Sequence, residues 1–140
     1  MENFYLVWSP RILSVLRMIL GFMFAAHGTQ KLLNTPATEK GAVELMSFMG
    51  LAGTLEMVGG ALIVMGLFTR VTAFILCGMM AFAYFTAHAP GGFLPIVNKG
   101  ELAVIYCFVF LYLSVAGGGP WSADAFIDSF RRPAGQRIAA

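Results

Sequence analysis

The residues in this chain that could do chemistry stand where side chains of their kind are costly. His27, Gln30 and Lys31 close one strongly apolar stretch, Glu56 sits inside a second, His88 ends a third, and Asn98 and Glu101 open a fourth. Ionisable groups within such stretches normally face other helices or a wet cavity and mark function by default. Three chemistries suit this set. Imidazole and carboxylate beside a Phe-rich interior can hydrogen-bond the carbonyls of a quinone and relay protons. Two imidazoles and two carboxylates, His27, His88, Glu56 and Glu101, could ligate zinc or another divalent metal. Lys31 and Arg17 could draw in a small anion or polar solute.

The elements that must position these groups follow from length and hydropathy. Crossing a bilayer takes about 20 mostly apolar residues at roughly 1.5 Å rise each. Residues 11–33, 51–68, 71–88 and 100–116 read as spans, and 122–132 as a short amphipathic surface helix capped by Ser122, with Asp124 in its first turn. The fold class is therefore all-α: one polytopic membrane domain over residues 1–140, four transmembrane helices in a bundle. Pro10 suits the start of the first span, behind interfacial Phe4, Tyr5 and Trp8. In the loop 34–50, Val43, Met46 and Met49 recur at helical spacing and suggest a short interfacial helix.

At about 100° per residue, Arg17, Gly21, Phe24, Gly28 and Lys31 share a stripe of the first span, with His27 at its edge. Gly53, Glu56, Gly59, Gly60 and Ile63 share a face of the second, where small residues admit a close neighbour. Cys77, Ala81, Tyr84 and His88 line the third, and Glu101, Ile105, Phe108 and Tyr112 the fourth. Alternating helix direction then brings His27, Gln30, Lys31, Glu56, His88, Asn98, Lys99 and Glu101 to one depth. These are the candidate ligand-binding residues apart from Lys99, which joins the cluster by position. Arg17, Tyr84 and Tyr112 are secondary candidates, and Arg17 is near enough to the other face to snorkel. The bland reading of the cluster is that its charges pair only to hold the bundle together.

Hydrophobic residues make up 59% of the 140 and charged residues 11%, against about 25% charged in soluble domains. The net charge of +2 lies beside apolar segments, so no nucleic-acid surface is expected. The partner is the lipid bilayer, and glycine-rich faces leave room for a homo-oligomer. Arg11, Arg70, Arg131, Arg132 and Arg137 fall on one side and Lys31, Lys40 and Lys99 on the other, which places both termini in the cytoplasm and the cluster in the outer part of the membrane. A cleaved signal peptide ending at FAA is a weaker reading, because the segment continues into its polar face. Cys77 and Cys107 read as small buried apolar side chains at similar depth, so that a disulfide between them is weakly indicated. The sequence holds no CxxC, HxxxH, nucleotide loop or nucleophile elbow.

Arg17 followed by LGFMFAAHGTQKL, then LEMVGGALIVMGLFTR, then KGELAVIYCFVFLYLSVAGGGPWSADAF resemble the DoxX family over nearly the whole chain. The resemblance implies a four-helix protein of the bacterial inner membrane. The family's name is similar to that of subunits of a thiosulfate:quinone oxidoreductase, and the resemblance implies, as for some members, a place in membrane-associated oxidoreductase complexes that respond to thiol or oxidative stress. Two classes of function follow. One is a membrane subunit of a quinone-linked oxidoreductase, with a partner subunit supplying electrons. The other is a non-enzymatic small-molecule or ion binding or transport protein, or an assembly factor.

Overall fold

A computed structural model describes residues 1–131. Six α-helices follow in order: α1 (Glu2–Leu33), α2 (Phe48–Met65), α3 (Thr69–Ala83), α4 (Pro95–Asn98), α5 (Glu101–Ala116) and α6 (Ala123–Arg131). A π turn, Tyr84–His88, and a 3-10 turn, Ala89–Gly91, extend α3. Helix α1, helix α2 and the run Thr69–Gly91 are each long and apolar enough to cross a membrane, and α5 is a shorter apolar helix of 16 residues. At about 1.5 Å per residue α5 reaches roughly 24 Å, short of a bilayer core of about 30 Å. Phe22, Phe74, Phe82, Phe108 and Val115 are among many large apolar side chains pointing outward, as a surface facing lipid requires.

Two helix starts differ from the sequence expectation, and the surface helix follows it. Helix α1 starts at Glu2 and carries Pro10 in its interior. There the ring removes one backbone donor on an exposed stretch, and the Ser14 hydroxyl takes up the Pro10 carbonyl at 3.2 Å. No helix forms at Val43; residues 45–47 turn instead, and α2 starts at Phe48 because the Ser47 hydroxyl accepts the Gly50 N–H at 3.0 Å. The surface helix forms with Ser122 before it, accepting from Ala125 N at 3.1 Å, while residue 132 of the expected helix, and Arg137, lie outside the described residues.

Helix α1 packs chiefly on α2, and α3 on α5. Glycines make the first contact possible. A Cβ on Gly28 would lie 2.7 Å from the Met57 Cα and 2.6 Å from the Gly53 carbonyl, and one on Gly60 would lie 2.8 Å from the Ala25 Cα. These are backbone atoms that cannot step aside. Between the two pairs lies a core of Leu20, Phe24, Ile63, Leu76, Met80, Tyr106, Phe110 and Leu113.

The end of the bundle that carries the start of α1 is closed by charged side chains satisfying helix ends. Arg17 is fully buried. Its Nε donates to the Gly118 carbonyl at 2.8 Å, its Nη2 to the Trp121 carbonyl at 2.8 Å, and its Nη1 to the last-turn carbonyls of Ile63 and Val64. Arg70 Nη1 does the same for α5, donating to the Ser114 and Val115 carbonyls. Asp124, on α6, accepts from Phe68 N and Thr69 N at 2.8 Å each and so caps the start of α3. Arg17 therefore does not snorkel; it joins α1, α2 and the segment before α6.

Two outcomes are expected by thermal unfolding in mild detergent. Gly28→Ala should cost about 1–3 kcal/mol through overpacking, while Gly78→Ala, where nothing lies within 4 Å, should be neutral or slightly stabilising. Arg17→Lys keeps the charge but cannot reach four diverging carbonyls, and should cost about 1–3 kcal/mol for each buried acceptor that it leaves dry.

Candidate functional site

The other end of the bundle is built differently. A cavity of about 260 Å³ is lined by Phe24, His27 and Lys31 of α1, Glu56 of α2, Met80 of α3, His88 of the π turn, Lys99 behind α4, and Leu102, Ala103 and Tyr106 of α5. The two central helices meet here through an ion pair. Lys31 Nζ donates to Glu56 Oε1 at 2.6 Å, with Glu56 nearly buried and Lys31 29% exposed at the side chain. Among the described residues this is the one salt bridge, so Lys99 has no carboxylate of its own.

Buried polar atoms ordinarily find partners. Three side-chain atoms among the described residues do not: Glu56 Oε2, the Tyr106 hydroxyl and Thr69 Oγ1. The first two belong to residues lining this partly open cavity, so an acceptor and a donor-acceptor without partners lie in its wall. Around them the walls are aromatic. Phe24 packs on Tyr106 with ring centroids 5.0 Å apart, and His27 meets the same ring edge-on at 6.3 Å.

The mouth is held by a small polar network. His88 Nδ1 donates to the Asn98 carbonyl at 3.2 Å, which in the neutral ring leaves Nε2 as acceptor. Asn98 Nδ2 donates to the Gly92 carbonyl at 2.6 Å and to the Tyr84 hydroxyl at 3.3 Å, and its Oδ1 accepts from Gly100 N at 2.7 Å. Tyr84 in turn donates to the Phe93 carbonyl. Asn98 and Tyr84 thus fasten the loop carrying Lys99 and His88, and neither lines the cavity.

Of the residues singled out from sequence, His27, Lys31, Glu56 and His88 are brought together. Gln30 is half-buried on α1 and does not line the cavity. Glu101 and Tyr112 point away, because the face they share with Ile105 and Phe108 is the exposed one; α5 turns Ala103, Tyr106, Phe110 and Leu113 inward instead. Tyr106 was therefore missed, although it lies one turn before the buried Phe110 and shares its apolar stripe. Arg17 spends its donors on carbonyls at the far end. Among the described residues no group of three or more His, Cys, Asp or Glu side chains could hold a metal ion, and Glu101 faces outward.

A larger recess of about 450 Å³ lies at the capped end, with Arg70, Asp124, Asp128 and Arg131 on its walls. Arg70 and Asp124 are already engaged by helix termini.

Residues 12–89 match the family model described as DoxX. An uncharacterized protein of Haemophilus influenzae is 41% identical, covering 84% of this chain and 91% of its own. An uncharacterized membrane protein of Mycobacterium tuberculosis is 29% identical over 82% of this chain and 80% of its own. A Bacillus subtilis protein named "Putative oxidoreductase CatD" is 26% identical, with coverage of 81% and 84%. No solved structure matches the chain.

The ion pair can be tested by a mutant cycle. Lys31→Met leaves Glu56 charged and alone in an apolar wall and should lower stability by about 1–3 kcal/mol, a figure kept modest because Lys31 is partly exposed. Adding Glu56→Met should restore most of that loss, as read by thermal unfolding of the two variants against wild type.

Proposed function

We propose, from the premise that the chain belongs to the DoxX family, that the cavity is a docking site for the head group of a membrane quinone. On this reading the protein is the membrane subunit of a quinone-linked oxidoreductase. The observation that carries the proposal is that Glu56 Oε2 and the Tyr106 hydroxyl, both buried and without partners, belong to two residues lining one aromatic-walled cavity. A quinone supplies a two-electron, two-proton couple on a flat ring with two carbonyl acceptors. Its ring calls for donors at opposite edges, an acceptor to receive a proton, and apolar faces.

The residues present answer each need. Tyr106, His27 and Lys99 can donate to carbonyls, Glu56 can hold a proton, and Phe24 and Met80 offer apolar contact. Drug-sized ligands occupy about 300–1,000 Å³, so a cavity of about 260 Å³ suits a single ring whose tail remains in lipid. The name of the Bacillus subtilis relative supports the oxidoreductase class. Arg11, Arg70 and Arg131 at the capped end, against Lys31, Lys40 and Lys99 at the other, support cytoplasmic termini and a cavity toward the outer side of the bacterial inner membrane. A partner subunit would then bring reducing equivalents from that side. The unpaired Lys99 favours a second reading, in which a small anion is the ligand.

Purified wild-type protein should carry quinone in its extracted lipid, or bind an added short-chain quinone. Tyr106→Phe and Glu56→Gln should each weaken binding about tenfold, the worth of roughly one hydrogen bond, and lipid-facing Tyr112→Phe should not. Wild type that binds no quinone but binds sulfite or thiosulfate through Lys99 would replace this reading with the second.

A further inference from the structure

The thiols of Cys77 and Cys107 lie 3.7 Å apart across the contact between α3 and α5, sulfur against sulfur. Both are half-buried, and both pack against the same core as Tyr106 and Met80. Closing a disulfide brings sulfurs to about 2.05 Å, a movement within reach of side-chain rotation and slight helix adjustment. The pair is also placed one helical turn below the cavity. Cys77 precedes the cavity-lining Met80 by three residues, and Cys107 follows the cavity-lining Ala103 by four, so each shares a helix face with a wall residue.

We infer that Cys77 and Cys107 form a two-electron redox site, a dithiol that closes to an intramembrane disulfide joining α3 to α5. The oxidant is a membrane quinone. Each thiol gives up one hydrogen, the two sulfurs bond, and the two electrons and two protons together convert quinone to quinol. The oxidant rests on the reading proposed for the cavity, while the pairing of the thiols does not. Such a couple gives this chain a redox centre of its own within its apolar interior, where no CxxC signals one. Neither cysteine has a metal-ligating neighbour set among the described residues, and each thiol faces the other.

The test uses the full chain in lipid nanodiscs, fully reduced at the start. Samples are treated with diamide, a general thiol oxidant, or with a short-chain quinone, then denatured, alkylated with N-ethylmaleimide and weighed intact. Both treatments should give a species lighter by two hydrogens with no alkylation, and dithiothreitol should restore two alkylated thiols. Cys77→Ser should keep one reactive thiol throughout and form no intrachain bond. Two thiols that stay alkylatable after both oxidants would overturn the pairing itself. Closure by diamide but not by quinone would overturn the quinone step, and with unchanged quinone binding would place that failure in the relay and not in the cavity. A closed pair produced by quinone equally well in Tyr106→Phe would show that oxidation bypasses the cavity and would likewise overturn the coupling.

Discussion

The structure depends on one guanidinium. Inside lipid, no water is available for the carbonyls that a helix leaves open at its C-terminus, and each one left dry costs several kcal/mol. Helix α2 ends at Met65 within the bundle, and the chain must turn immediately into α3. Arg17 reaches across from α1 to take the Ile63 and Val64 carbonyls, and spends its other donors on Gly118 and Trp121. That one side chain sets the depth of α1 against α2 and the path of the chain leaving α5. Only a planar fork of five donors could serve acceptors arranged in this way.

Its neighbours extend the same principle. Gly66, at φ 67°, passes so close to Ser122 and the Arg17 head that a side chain there would collide, and Asp124 closes the start of α3 from a helix more than fifty residues away in sequence. The result is an end in which charge is consumed by backbone. The opposite end obeys the reverse rule. There the charged and polar groups meet one another or an open volume, and the backbone is served by Asn98 and Tyr84. The two ends use the same residue types for different purposes.

This distinction explains what the sequence could and could not convey. The helices were legible because spans of this length have few alternatives in a bilayer, and the buried face of α2 was legible because glycines and Glu56 recur together on it. The depth of His27, Lys31, Glu56 and His88 followed from alternating helix direction. Helix α5 is apolar all round, so the face carrying Glu101 reads as inward from the sequence, whereas the structure exposes it. Periodicity cannot orient such a helix; the packing of Phe110 and Leu113 against Phe24 and Leu76 does. Arg17 was misread for a related reason, since its acceptors are backbone groups that no residue type reveals.

The energetic argument for a ligand comes from what the cavity forgoes. Replacing a buried ion pair by apolar side chains of similar volume is often neutral or stabilising, so Lys31 and Glu56 are not required for the bundle to hold. The glycine contact between α1 and α2 already fastens the helices there, through Gly28 and Gly53. Against that background an unpaired carboxylate oxygen and an unpaired phenol, each costing about 1–3 kcal/mol, are a burden with no structural return. Their cost is removed if a molecule with complementary donors and acceptors enters. On the proposed reading, the glycine seam on one side and the aromatic wall of Phe24 and Tyr106 on the other frame the space that such a ligand would occupy.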